Sequence, residues 1–350
     1  MSTIHDVAAL AGVSVSSVSN VLNGRTEKLG AETFARVEAA IGQLNYRPNR
    51  AARQLKTGHT PMLGLLVPST ANPMYGQLAL KIEAVAQQRY GYRLLLANTH
   101  RDKQHEARMF DDLLSFGVQA VIVVSSRDDE RHLEDAVARG LAVVSYDRST
   151  APVEGSVVDH VSPDNFRAGY IAADHLIEHG HSRLAFLVPS GKTVSRADKI
   201  AGFLERAAQG GLHDSVEVVE GQVLETFGDS ELADLGFAMA SQIKAMRPMP
   251  TGIVTVNDML AIGLLSGLHQ AGLRVPEDVS VVGMDGLSIA AFTNPALTSV
   301  SMPITEMADA MVQRAVDRSR LPGQRPVNFI FQPVLVDRQS VARPATRQRD

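Results

Sequence analysis

From Pro61 onward, short aliphatic runs alternate with amphipathic stretches, and this alternation limits the chain more than any other feature. The spacing predicts strands at 63–68, 92–97, 118–125 and 141–147, with helices at about 75–89 and 106–116 and an acidic-basic helix before 141. Apolar runs with no polar face are buried on both sides, which calls for a parallel sheet covered by helices on both faces. A second set follows Asp164: helix 166–179, strand 184–189, helix 199–209, strand 216–220, helix 234–246, strand 252–256, helix 259–271 and strand 279–285. Two such sets make an α/β body of two lobes with a cleft between them. At roughly 150 residues per domain, a 350-residue chain holds two to three domains.

The first 60 residues have a different period. Ile4, Val7, Ala8 and Ala11 follow helical spacing, and Thr3 with Asp6 forms a capping box at the start. Gly12 can take positive φ to end that helix, and Ser14 can cap the next. Val18, Val21 and Leu22 give the second helix one apolar stripe, opposite the short polar residues Ser16, Ser17 and Asn20. A third stripe follows at Val37, Ala40, Ile41 and Leu44. Two short helices joined by a tight glycine turn, with a third closing the core, make a helix-turn-helix whose second helix suits a DNA major groove. On periodicity alone, a plain three-helix packing module is an equal alternative. Charge adds to the first reading: residues 1–60 carry seven Lys or Arg against four acids, +3, while the remainder carries –7 of the net –4.

Beyond the third helix, Tyr46-Arg47-Pro48 ends the regular structure, and 49–56 (NRAARQLK) could make two helical turns capped by Asn49. That is too short to be stable alone, so it reads as a linker that folds on a partner. The stretches TIHDVAALAGVSVSSVSNVLNG and LNYRPNRAARQLKTG closely resemble the head and hinge of the lactose/galactose repressor (LacI/GalR) family of bacterial transcription factors. One departure is Gly30, where the family usually has a capping serine; glycine there costs only a few tenths of a kcal/mol. The resemblance implies a helix-turn-helix domain over 1–48 and a hinge helix and linker over 49–60. It also implies DNA contacts from Ser14, Val15, Ser16, Asn20, Asn23, Thr33, Tyr46, Asn49, Ala52, Arg53, Leu55 and Lys56. Paired Leu55 side chains would wedge into the minor groove at the centre of a pseudo-palindromic operator.

In the body, NPMYGQL, SPDNFRAGYIAADHLIEHGH, TVNDMLAIGLLSGLHQAGLRVPEDVSVVGMD and NPALTSVSMP resemble the family's effector domain. This implies a two-lobed fold like that of periplasmic binding proteins over 61–340, with lobe crossings near 162, 290 and 325 and a tail at 341–350. Ligands of open α/β sheets bind outside the carboxyl ends of the strands. By resemblance the candidates there are Met74, Tyr75, Asp147, Arg196, Asn257 and Asp285, groups that suit a polyhydroxylated ligand. Many relatives carry an aromatic platform at the position of Val223, and Phe227, in a longer segment, is the candidate replacement. Arg196 and Asp285 could instead simply pair with each other.

Other chemistries find little support. With no cysteine there are no disulfides, thiolate metal sites or cysteine nucleophiles. Ser190-Gly191-Lys192-Thr193 imitates the end of a phosphate-binding loop but has Phe186 where glycine is needed. No serine-hydrolase or zincin motif is present, and His175, His179 and His181 at one helix end lack a convincing acidic partner, so neither a catalytic residue, a metal nor a cofactor is expected. The N-terminus lacks a signal-peptide pattern and no aliphatic run could span a bilayer. The expectation is a cytoplasmic homodimeric repressor of a carbohydrate-use operon, responsive to a sugar or sugar derivative. A two-lobed binding protein of transport or chemoreception is the alternative. Without a heptad zipper after 341, a dimer is expected rather than a tetramer.

Overall fold

The computed structural model describes residues 2–22, 25, 29–46, 61–125, 129–148, 155–222 and 231–345. The chain divides into two compact units, Met1–Thr60 and Pro61–Asp350.

In the first unit, α1 (Ile4–Ala11) starts at Thr3, whose Oγ1 accepts from the Asp6 N–H while the Asp6 carboxylate accepts from the Thr3 N–H at 2.7 Å. Gly12, at φ 63°, ends it in the left-handed region. The Ser14 hydroxyl then accepts from the Ser17 N–H at 3.1 Å and opens α2 (Val15–Leu22). Gly30 precedes α3 (Ala31–Gln43) with no side-chain cap. Val7, Ala8, Ala11, Val18, Val37 and Ala40 are the buried core of this unit, so each apolar stripe faces inward.

The second unit carries two six-stranded sheets. The first contains β1 (Met62–Val67), β2 (Arg93–Asn98), β3 (Ala120–Val124), β4 (Ala142–Tyr146), β5 (Asp159–Pro163) and β11 (Asn328–Phe331), in the order β11-β5-β4-β3-β1-β2. The second contains β6 (Leu184–Pro189), β7 (Val216–Gly221), β8 (Gly252–Thr255), β9 (Ser280–Asp285), β10 (Thr298–Ser301) and β12 (Val334–Val336), in the order β12-β10-β9-β8-β6-β7. All pairs are parallel except β10–β12. Helices α4 (Pro73–Tyr90), α5 (Lys103–Ser115) and α6 (Arg131–Ala138) connect the first sheet. Helices α7 (Asn165–Glu178), α8 (Val194–Gln209), α9 (Leu232–Ala245) and α10 (Asp258–Gln270) belong to the second.

The chain passes between lobes three times. After β5 it enters α7 of the second lobe. After β10 it returns in α11 (Ile304–Arg320), which packs on β3, β4, β5 and α4 of the first. Between β11 and β12 it crosses again. The second and third passages lie further along than 290 and 325, because β10 and β11 complete their sheets before the chain leaves them. Asp159 on β5 is fully buried and anchors the return. Its carboxylate accepts from Arg314 Nη2 at 3.2 Å and the Val327 N–H at 2.7 Å, with Arg318 Nη1 3.4 Å away.

Two helix pairs meet backbone to backbone. A Cβ at Gly169 would lie 1.8 Å from the Lys199 carbonyl oxygen, and one at Gly202 the same distance from that of Phe166. Only glycine permits α7 and α8 to approach this closely, and the contact fixes α8 against the second sheet. Gly236 and Gly263 do the same for α9 and α10.

Candidate functional site

The carboxyl ends of both sheets face one cleft. Six of the seven expected effector residues line it: Met74, Tyr75, Asp147, Arg196, Asn257 and Asp285. Phe227 lies outside the described residues.

The two acids occupy equivalent places. Asp147 follows β4 and Asp285 ends β9, and these strands hold the same position in the two sheet orders. Both take positive φ, 66° and 120°, where a side chain is strained. Asp147 Oδ1 accepts from Asn165 Nδ2 at 3.1 Å. Burial pushes the Asp285 carboxyl well above the usual range; the Lys199 ammonium pulls it back, while Asp258 and Asp147 raise it further. Asp285 Oδ2 is buried and accepts no hydrogen bond. Behind it, Asp258 accepts from Ser299 Oγ at 2.6 Å and the Leu287 N–H at 2.7 Å.

Asn257 caps α10, its Oδ1 accepting from the Leu260 N–H at 2.9 Å. The amide nitrogen is its donor group, on a side chain that lines the cleft. Arg196 does not pair with Asp285 in the manner that had been the alternative: Nη1 donates to the carbonyls of Ser190 and Gly191, at 3.3 and 3.0 Å. The cation that bears on Asp285 is Lys199, whose Nζ donates to the Val256 carbonyl at 3.2 Å. Lys199 lies one helical turn beyond Arg196, so i, i+3 spacing could have singled it out. Sequence reading also passed over Arg101, at φ 54° and buried, which donates to the Tyr75 hydroxyl at 3.1 Å. It missed Asn165 as well.

In the head, Ser16 and Asn20 lie four residues apart on α2, on the side away from buried Val18. Ser16 is exposed and Asn20 half-buried; both are short enough to approach a base edge. Ser14 is exposed but its hydroxyl is engaged in the cap. Val15 and Tyr46 are half-buried and pack against the head core, and Thr33 lies half-buried in the first turn of α3. Asn23, Asn49, Ala52, Arg53, Leu55 and Lys56 lie outside the described residues. Among the described residues, no group of three or more acids or histidines could hold a metal ion, and no helix is long and apolar enough to cross a membrane.

Residues 3–49 match the model of bacterial regulatory proteins of the lacI family, and 173–341 match that of a periplasmic binding protein-like domain. The ribose operon repressor of Escherichia coli is 32% identical over 97% of this chain and 100% of its own length. This chain belongs to the lacI family. The transcriptional regulator DegA of Bacillus subtilis is 31% identical over 97% of the chain and 98% of its own length. Among solved structures, the Lac repressor dimer bound to operator and the anti-inducer ONPF superposes with a TM-score of 0.83 at 25% identity, covering 97% of this chain and 99% of that one. A lacI-family regulator of Enterococcus faecium with bound ribose gives 0.70 at 25% identity, over 81% and 99%. These relatives are regulators of transcription. In this lacI-family chain the cleft joins acids from both lobes to three buried cations, Arg101, Arg196 and Lys199.

Proposed function

We propose that this chain is a ligand-responsive, sequence-specific DNA-binding repressor that acts as a homodimer in the cytoplasm and is not an enzyme. The observation that carries this reading is the full-length match to operon repressors, with a polar α2 face and a strand-end cleft in one chain. A transport or chemoreception protein of the same two-lobed fold would have no use for the helix-turn-helix head.

Two heads in a symmetric dimer meet a pseudo-palindromic operator, each presenting Ser16 and Asn20 to the major groove. Ser14, Thr33 and Tyr46 position the head on the backbone, and Val15 offers an apolar edge. Asn23 and the hinge residues Asn49, Ala52, Arg53, Leu55 and Lys56 extend the contact, with Leu55 as the minor-groove wedge. A sugar or sugar derivative in the cleft touches Met74, Tyr75, Asp147, Arg196, Asn257 and Asp285, with Phe227 as a stacking surface. Its binding shifts the balance between two lobe arrangements and so the affinity for operator.

Selection of DNA from a random pool by the full-length protein, repeated with and without D-ribose, D-glucose and cellobiose, tests this. An enriched inverted repeat whose retention changes with one sugar supports it, and Asp285→Ala should keep the repeat while losing the sugar response. Recovery of no preferred sequence refutes the reading.

A further inference from the structure

Asn165 is the first residue of α7, placed where the chain first passes from one lobe to the other. Its side chain is fully buried, yet it lines the cleft. Its Nδ2 donates to Asp147 Oδ1 at 3.1 Å, so a residue of the second lobe holds the cleft acid of the first. The carboxylate accepts only, which settles the amide's orientation: the flipped form would set two oxygens against each other. The carbonyl oxygen is thereby committed, and among buried polar atoms Asn165 Oδ1 receives no hydrogen bond. A buried acceptor left in that state is unfavourable by more than a typical hydrogen bond contributes. Asp285 Oδ2, across the same cleft, is in the same condition.

We infer that Asn165 is a ligand-contacting, specificity-determining residue whose carbonyl accepts a hydrogen bond from a hydroxyl of the bound molecule while its amide holds Asp147. The inference rests on the reading of the cleft as an effector site and adds to it a chemical requirement. Asn165 Oδ1 is an acceptor without a donor, so the ligand must bring a donor to it. A hydroxyl meets that need; a fluorine, ether or carbonyl at the same place does not. Because Asn165 stands at the crossing and grips a first-lobe side chain, the same contact ties ligand occupancy to the spacing of the lobes.

Isothermal titration on the full-length protein tests this. D-ribose, D-xylose, D-glucose, D-galactose and cellobiose are titrated first, and the tightest binder is then compared with its deoxyfluoro analogues, one hydroxyl at a time. In the wild type, fluorine at one position is expected to weaken binding about tenfold, the worth of a buried hydrogen bond. In Asn165→Leu the parent sugar should bind about tenfold more weakly, and that analogue should bind as well as the parent. Asn165→Ala, which cannot overpack the site, provides the same comparison if the leucine variant does not fold. If every analogue loses as much affinity in both Asn165 variants as in the wild type, the assignment is wrong although the cleft is a sugar site. If no sugar of the panel binds the wild type, the sugar reading of the cleft falls and this inference falls with it.

Discussion

Asp258 shows how much a single side chain can impose on the whole body. It is fully buried, and burial holds its carboxyl up at about 6 against an ordinary 3.8, even though Ser299 and the Leu287 N–H both donate to it. The folded protein therefore binds this proton more tightly than the unfolded chain does. That contribution to stability is fully present below pH 3.8 and is lost as pH rises through about 6. Asp258→Asn, which carries no titrating proton, should gain on the wild type over that window by on the order of 2–3 kcal/mol. Chemical denaturation at pH 4 and pH 7 measures the difference, and a difference that does not change with pH refutes it. In the head, Asn20→Ala should cost about 1–3 kcal/mol at the preferred sequence and relax one base position. Binding-site selection with the variant checks this; an unchanged base preference contradicts it. Asp147, Asn257 and Asp285 were singled out by the family resemblance, and each follows or ends an aliphatic strand, where strand-end geometry fixes the direction of the cleft. Lys199, Arg101 and Asn165 were not. Asn165 begins a helix, Lys199 lies in the second turn of one whose start was read five residues late, and Arg101 reaches the cleft through a positive φ that no periodicity announces.

At the scale of the element, the α7–α8 contact governs how precisely the cleft is built. Gly202 has the Phe166 carbonyl where its Cβ would be, and α8 carries both Arg196 and Lys199. Gly202→Ala must push the helices apart, with an expected cost of about 1–3 kcal/mol for overpacking. Ligand affinity should fall as well, because both cations move with the helix. Thermal melts and sugar titrations on one preparation check both, and a variant that matches the wild type in each refutes the argument. The elements differ in how readable they were. Strands β1 to β4 and β6 to β9 and most helices follow the expected spans within a few residues, since their cores are continuous aliphatic runs. Helix α8 begins at Val194, five residues before the expected start at 199: Thr193 accepts from the Arg196 N–H and caps it, but Ser195, Arg196 and Asp198 mask the apolar period. Strands β5, β10, β11 and β12 went unread. Sequences such as DHVSP and TSVS are rich in polar residues, and the partners that bury them come from distant parts of the chain.

For the whole molecule, the arrangement of Asp159 is decisive. This fully buried carboxylate is met by two guanidinium groups and a backbone N–H, all supplied by the segment that returns from the second lobe. Asp159→Ala leaves Arg314 and Arg318 facing each other without their anion, and breaking a buried pair in this way typically costs about 3–5 kcal/mol. Urea unfolding followed by circular dichroism should show that loss in the body; a loss below about 1 kcal/mol, the value of an exposed pair, refutes the argument. The three passages between lobes also explain why two lobes were legible from the sequence while the crossing points were not. Repeated strand-helix units give the count, but where the chain switches sides depends on contacts between residues some 155 apart.

That return has a consequence for a chain emerging from the ribosome. The first lobe's sheet lacks its outermost strand until residue 331 has been made, and Asp159 waits for donors that follow it by 155 to 168 positions. Until then β5 presents an open, unpaired edge, the kind of surface on which other strands add. The second lobe, although later in sequence, has all but its last strand by residue 301. The lobe begun first is thus finished late, and a nascent chain halted between residues 163 and 314 carries an uncovered strand edge with an uncompensated carboxylate at its start. Holding that edge soluble falls to the carboxylate itself, which repels a second copy as long as it remains charged and in water.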